Sequence, residues 1–322
     1  MIKKIYMLSH SCPDGLSSQV LVGNFYKDVY YRNSTYGKIK DELYFLKEEL
    51  QNNKDFNTVI ISDLCFDVYD YELLEDIAEE FSERNFYYLD HHEYEYDLET
   101  PVKNLHIYHT HAKCGTKITA GFLENVLKNP LSEELKHYVE VIDTYDRRQD
   151  ESPLYEEAEF FIKFFSLENY KFKYNRIRDR LIKSVLLTQE ETTEINNEIK
   201  RQKNIFDNLK SRFRNSLFSF AYSDEYVIDL QQKYEDSLIY LNVLSFHRGS
   251  IRINKTVPDE IAEIIRESFI ETYENLKEVQ TIGGHARAIG ITFDKQFSME
   301  DVNKIIIEET GKLLKELKDK IQ

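Results

Sequence analysis

No apolar run in the sequence approaches the roughly 20 residues needed to cross a bilayer, so no membrane-spanning helix is expected. Cysteine is scarce. Cys12, Cys65 and Cys114 are odd in number, widely spaced and lack a C-x-x-C pair, which excludes a disulfide framework and a structural zinc knuckle. Positive charge is short as well: 42 Lys and Arg face 58 Asp and Glu, a net charge of -16. A protein that binds long nucleic acid along an extended surface needs a basic track, so the charge argues against that class. A short anionic substrate held by a few local cations and metals is not. Tryptophan is absent, and no functional consequence follows. The apolar stretch from Met1 to Leu8 is too short for a signal peptide and meets Ser9, His10 and Asp14 at once. It reads as a buried first strand, and the expected location is the cytoplasm.

What is there is enough for two domains. The chain has 322 residues, 41% hydrophobic and 31% charged, a globular balance. Over the first 110 residues short apolar runs (Ile5–Leu8, Val59–Ile61, Phe86–Leu89) alternate with helical patterns such as Lys38–Glu49 and Tyr69–Glu83. That alternation implies βαβ units and a parallel sheet. Residues 112–142 read as further helix, broken at Asn129-Pro130-Leu131-Ser132. From Glu156 to Arg214 the pattern is helical and charged, with Ile195, Ile199, Phe206, Leu209 and Phe213 at three- and four-residue steps. Leu217–Tyr222, Ile239–Phe246, Ser250–Ile253 and Ala288–Phe293 read as strands. Pro258 opens a helix over Asp259–Lys277, Gly283-Gly284 breaks the chain, and the last segment is helical. The expected architecture is α/β throughout: a parallel-sheet domain over 1–155, a helical connector over 156–215 and a smaller α/β domain over 216–322.

Three apolar runs end alike. The first leads to Ser9-His10-Ser11-Cys12-Pro13-Asp14-Gly15, the second to Ser62-Asp63, the third to Asp90-His91-His92. In a parallel sheet the carboxyl ends of the strands share one edge, where ligands bind. His10, Cys12, Asp14, Asp63, Asp90, His91 and His92 should therefore converge. Ionised carboxylates gathered beside imidazoles suit divalent ions of the Mn²⁺, Fe²⁺ or Zn²⁺ type. Two such ions can share a carboxylate and activate a water. Any one of these endings alone would be an ordinary turn or cap.

Five motifs in order resemble the DHH family of phosphoesterases with a C-terminal DHHA1 domain. They are the segment Ser9–Gly15, which resembles H-x-D-x-D-G; Asp63; Asp90-His91-His92; Ile142-Asp143-Thr144-Tyr145-Asp146-Arg147; and Gly283-Gly284-His285-Ala286-Arg287-Ala288-Ile289-Gly290, which resembles G-G-H-x-x-A-x-G. The nearest branch is the oligoribonuclease (nanoRNase) and cyclic-nucleotide phosphodiesterase group. The resemblance implies a first metal on His10, position 12 and Asp63. It implies a second on Asp14, Asp63, His91 and Asp143, with Asp63 bridging. His92 would face the substrate phosphate and Asp90 would orient the histidine pair.

The family has Asp where this chain has Cys12. A thiolate is a softer ligand that favours zinc or iron over manganese. The alternative is a small neutral residue and a weakened first site, and the sequence leaves both open. In the second domain Gly283 and Gly284 permit close backbone approach to an anion, and His285 can donate to a phosphate oxygen. In the family an arginine at the place of Arg252 binds substrate phosphate. His247, Arg248, Lys255 and Arg287 add local positive charge. His106, His109 and His111 form a loose cluster expected to be solvated. Cys114-Gly115-Thr116 resembles a helix start near the site and is given no chemistry.

The expected activity is hydrolysis of a phosphodiester or terminal phosphomonoester by metal-activated water, in a cleft between the domains. Two divalent ions are expected, manganese first and iron or zinc because of Cys12. The substrates would be short single-stranded RNA or DNA, a linear or cyclic dinucleotide, or 3′-phosphoadenosine-5′-phosphate. Long duplex nucleic acid and membranes are not expected partners, and the oligomeric state, a homodimer included, is open. One competitor is a pyrophosphatase-like hydrolase, against which Gly283-Gly284-His285 speaks. The other is a nucleotide-binding sensor or interaction protein with a weakened metal site.

Overall fold

The structure is a computed structural model and describes residues 4–94, 96–167, 174–208, 211–214, 218–223, 239–244, 248–254, 257–285, 287–294 and 296–321. The chain forms two units, 1–198 and 199–322, each with its own sheet. Among the described residues no helix is long and apolar enough to cross a membrane.

In the first unit β1 (Lys4–His10), β2 (Val29–Ser34), β3 (Phe56–Ser62), β4 (Asn85–Asp90) and β5 (Leu105–His109) form one sheet in the order β2-β1-β3-β4-β5. Every pairing is parallel. The central strands are apolar on both faces because both are covered. Tyr6, Leu8, Val59, Ile61, Phe86 and Tyr88 pack into one core with α2 (Ile39–Asn52) and α3 (Val68–Glu80). Ile39, Leu43, Leu46 and Leu50 give α2 its buried face at helical spacing. Met7 and Ile60 are equally buried and point the other way by strand alternation. That face is covered by α1 (Pro13–Phe25) and α4 (Gly115–Asn125).

α1 is buried along much of its length, its polar Ser17, Ser18 and Gln19 included. These are satisfied internally: Tyr138 Oη donates to Ser17 Oγ at 2.6 Å, and Ser18, Ser62 and Thr119 join hydroxyls at 3.0–3.2 Å. α5 (Glu133–Asp146) starts at the Ser132 cap, which accepts the Leu135 N–H at 3.2 Å. α6 (Tyr155–Lys163), α7 (Tyr174–Lys183) and α8 (Gln189–Asn208) follow. β2 and β5 were not expected. Both are edge strands of half-buried polar and aromatic residues, without the apolar run that marks β1, β3 and β4.

In the second unit β6 (Ser211–Arg214), β7 (Phe218–Ser223), β8 (Ile239–Leu244), β9 (Arg248–Ile253), β10 (Val279–His285) and β11 (Ala288–Phe293) lie in the order β10-β11-β9-β8-β7-β6. Only β7 and β8 run parallel among these pairs. α9 (Asp259–Glu274) and α10 (Met299–Ile321) cover one face, where Ile251, Ile253, Phe269, Tyr273, Ile289, Ile291, Ile306 and Leu313 pack together.

Two expectations need correction here. The helical pattern through Arg214 ends at Asn208, and Phe213 lies in a strand opposite Phe220. Over so few apolar residues the helical and extended periods cannot be told apart. Gly283-Gly284 does not break the chain but continues β10, with Gly283 paired to Gly290. Leu217, the end of the run to Phe246, His247 and Lys255 lie outside the described residues.

Candidate metal centre

β3 lies between β1 and β4, so the residue after it sits between the other two strand ends. That residue is Asp63. Its backbone is left-handed, φ 57°, a conformation that Asp tolerates better than most residues and that costs on the order of 1 kcal/mol. Its N–H donates to Leu89 O at 3.0 Å, tying it to the end of β4. The two carboxylate oxygens then face different partners. Oδ2 accepts from Cys12 Sγ at 2.8 Å and lies 3.9 Å from His10 Nδ1. Oδ1 is 3.2 Å from His91 Nε2.

Cys12 caps α1, its sulfur accepting the Gly15 N–H at 3.3 Å. Asp14, in the first turn of that helix, turns its carboxylate to the start of α4: Gly115 N–H donates to Oδ2 at 2.7 Å and Thr116 N–H to Oδ1 at 2.8 Å. Helix amino termini favour such a negative partner. Gly115 is required by the approach. A Cβ there would meet Asp63 Cβ at 2.8 Å and Asp14 Oδ2 at 3.0 Å.

Asp90, fully buried, holds His92 twice, by the ring Nδ1 at 3.0 Å and the backbone N–H at 3.0 Å. Tyr94 Oη donates to Asp90 Oδ2 at 2.5 Å and meets Tyr88 Oη at 2.6 Å. Burial pushes the Asp90 carboxyl up, but the His92 hydrogen bond and charge, with Tyr94, outweigh it and hold it below its ordinary value. Engaged through Nδ1 and its backbone N–H, the His92 ring is held in one orientation by Asp90.

Three donor groups could each hold an ion: His10, Cys12 and Asp63; Asp63, His91 and His92; Asp14, His91 and Asp146. Within each, the donor atoms lie within 4.8 Å of one another. The electrostatics fit cations there. Burial, then the Asp14 charge, raises Asp63 to about 6. Burial, then Asp14 and Asp63, raises Asp146 as well. Burial disfavours a charged His91, but its Asp63 hydrogen bond and the charges of Asp14, Asp63 and Asp146 raise it to about 9. Protons are thus drawn in to relieve carboxylate repulsion, and divalent ions on the same O and N donors would relieve it in their place.

The strand-end residues therefore do converge. Asp143 is held differently from what the resemblance implied. Its carboxylate accepts Cys114 N–H at 2.8 Å and Lys117 Nζ at 2.9 Å, and Asp146, one turn on, faces His91 at 3.8 Å instead. The Asp143-x-x-Asp146 spacing, which puts both on one helix face, was the signal for it. His109 and His111 are not simply solvated: their rings meet the His92 and His91 carbonyls at 2.7 and 3.0 Å and brace that loop. Tyr88, Tyr94 and Lys117 carried no sequence signal.

In the second unit, register places His285 opposite Ala288 and Ala288 opposite Arg252, one row across three strands. Arg252 lies between the buried Ile251 and Ile253 and so points away from the helices. Arg287 is committed to the fold: it donates to Asn254 O, Val257 O and Asp259. A hollow of about 560 Å³ in the first unit, lined by Lys54, Asn57 and Arg84 among others, sits where β3 and β4 begin, the edge opposite this centre.

Neither a known family profile nor a curated protein sequence matches the chain. Solved structures do. A DHH domain described as part of a member of a ribosomal-protein family aligns over 97% of this chain and 86% of its own, with TM-score 0.61 and 15% identity. A pGpG-specific phosphodiesterase from Vibrio cholerae aligns over 96% and 99%, with TM-score 0.57 and 13% identity. CDC45 from Entamoeba histolytica aligns over 98% and 95%, with TM-score 0.59 and 9% identity. The chain has the fold of the DHH-domain proteins.

Proposed function

We propose that the chain is a metal-dependent phosphoesterase acting on a short or small nucleotide: a few nucleotides of single-stranded RNA or DNA, a linear or cyclic dinucleotide, or 3′-phosphoadenosine-5′-phosphate. The observation that carries this reading is the Asp63 carboxylate, whose two oxygens face two separate donor groups as a bridging ligand would. The similarity in fold to a protein named as a pGpG-specific phosphodiesterase supports it. The net charge of -16 favours short substrates over long ones.

His10, Cys12 and Asp63 would hold one ion, and Asp63, Asp14, His91 and Asp146 the other. Manganese is the first choice, with iron or zinc the alternatives. Such ions acidify a water, align it and neutralise charge on the phosphoryl oxygens. The chain's own residues do the rest. Asp90 fixes the His92 ring so that Nε2 can donate to a phosphoryl oxygen. Asp14 is locked by the α4 amides and cannot swing away. Arg252, Gly283, Gly284 and His285 bind substrate phosphate.

Cys12 favours one second reading, a sensor that binds nucleotide without turnover, because a thiol stands where a carboxylate would be the harder ligand. A panel of short oligonucleotides, dinucleotides and 3′-phosphoadenosine-5′-phosphate, assayed with Mn²⁺, Fe²⁺, Zn²⁺ and Mg²⁺ separately, distinguishes them. Product release that Asp63→Asn abolishes is expected. Tight nucleotide binding with no product under any ion would establish the sensor, and equal rates in Asp63→Asn would end the two-metal reading.

A further inference from the structure

We infer that the two metal positions differ in kind: the one built by His10, Cys12 and Asp63 is a sulfur-ligated site for a borderline-soft ion, zinc or ferrous iron. Its neighbour, built by Asp14, His91 and Asp146 with the shared Asp63, takes a harder ion of the manganese or magnesium type. The inference rests on the metal-dependent reading above and specifies which ion goes where.

Geometry puts the sulfur in the first position. Cys12 Sγ, a His10 ring nitrogen and an Asp63 oxygen lie within 4.8 Å of one another. Sγ is 2.8 Å from Asp63 Oδ2, the oxygen that His10 Nδ1 approaches at 3.9 Å. The thiol thus donates to the carboxylate oxygen that a cation held by the three donors would take. When the ion binds, the S–H bond breaks, a metal–sulfur bond forms and the proton leaves to solvent.

The backbone gives the sulfur little freedom to avoid this. Cys12 is the cap of α1, tied by the Gly15 N–H at 3.3 Å. The turn that carries it, His10 to Gly15, is closed so tightly that a Cβ at Gly15 would come within 2.2 Å of His10 O. The backbone thus holds Cys12 beside Asp63. The other cysteines do not enter such a group among the described residues: Cys65 Sγ faces Glu93 O at 4.0 Å, and Cys114 is buried at the start of α4.

Ligand chemistry then separates the positions. Thiolate and imidazole suit zinc and iron, whereas the carboxylates of Asp14, Asp146 and the shared Asp63 with one imidazole suit manganese or magnesium. A site of equal carboxylate character at both positions would not discriminate in this way.

Cobalt(II) titration of the metal-free full-length protein, followed by absorption, tests the sulfur ligand. Wild type is expected to show a sulfur-to-cobalt charge-transfer band in the near ultraviolet beside the visible cobalt bands. The band is lost in Cys12→Ser and Cys12→Asp and kept in Cys65→Ser. Visible cobalt bands with no charge-transfer band in wild type overturn sulfur ligation and leave the metal-dependent function standing. No cobalt bound at all overturns both. With zinc and manganese offered together, metal analysis should find that Cys12→Asp holds less zinc and more manganese than wild type. Identical contents in the two proteins overturn the assignment of ions to positions.

Discussion

The N–H of Gly115 donates to Asp14 Oδ2 at 2.7 Å, so the amino end of α4 holds in place one of the carboxylates gathered at the candidate metal centre. The same closeness leaves no room for a side chain at position 115. A methyl group there would press on Asp63 Cβ at 2.8 Å. Gly115→Ala is therefore expected to destabilise the fold by about 1–3 kcal/mol, the usual cost of overpacking. It should also weaken metal binding, because Asp14 and Asp63 are displaced together. Thermal melting and metal titration of the variant measure the two effects. Unchanged metal affinity would mean that the helix start does not position the ligands.

Asp143 and Asp146 lie one turn apart on α5 and are expected to fail differently. Asp146 faces His91 at 3.8 Å, whereas Asp143 is buried against Lys117 and the Cys114 N–H. Asp146→Asn should lose bound metal and turnover, with little change in the melting temperature of the metal-free protein. Asp143→Asn should take from Lys117 the buried one of its two acidic partners, leaving Glu140 at 2.8 Å, and cost about 1–3 kcal/mol of stability. Metal content and melting curves of both variants decide the matter. Loss of metal in Asp143→Asn at unchanged stability would return Asp143 to the ligand set.

Tyr94 is the hydroxyl behind the histidine pair. It donates to Asp90, which holds the His92 ring. Tyr94→Phe should leave metal content intact and lower turnover about 10–100-fold, the usual effect of removing an orienting partner. Turnover and metal content measured on the same preparation check this. A wild-type rate in Tyr94→Phe would show that Asp90 needs no such partner.

The parts of this centre that a single sequence shows are those fixed by strand ends. His10, Cys12, Asp14, Asp63 and Asp90-His91-His92 follow apolar runs directly, and a parallel sheet brings such ends to one edge. Asp63 between the other two is what the order β1-β3-β4 delivers. Asp146 was less legible, because which of two acids one turn apart faces the site depends on the rotation of α5. That rotation is set by Tyr138, Val139 and Ile142 packing into the interior, which only the fold fixes. Tyr88, Tyr94, His109 and His111 are joined to the site by hydrogen bonds across loops, and no periodicity announces those.

Arg252 and His285 share a cross-strand row with Ala288 in the second unit, away from any carboxylate of the metal centre in sequence. Arg252→Ala and His285→Ala are expected to raise KM for the nucleotide, with metal content unchanged. Saturation kinetics and metal analysis of the two variants check it. Loss of metal in Arg252→Ala would show that it serves the centre and not the substrate.

Metal-free protein should be more stable at mildly acidic than at alkaline pH, and divalent ions should remove the difference. Asp63 has its carboxyl raised to about 6 from an ordinary value near 3.8. The folded state therefore holds a proton that the unfolded chain has released, and stability falls as pH rises from about 4 through 6. His91 is raised to about 9 from 6.5. Its contribution is fully present below pH 6.5 and is lost as pH rises through 9. Both groups act in the same direction, and because they share one hydrogen bond their contributions overlap. Melting temperatures of chelator-treated protein should fall between pH 5 and pH 9. With saturating manganese or zinc the ion supplies the charge that those protons supplied, so the decline should flatten or reverse, since ion binding competes with protons. The same slope with and without metal would mean that Asp63 and His91 do not meet the ions.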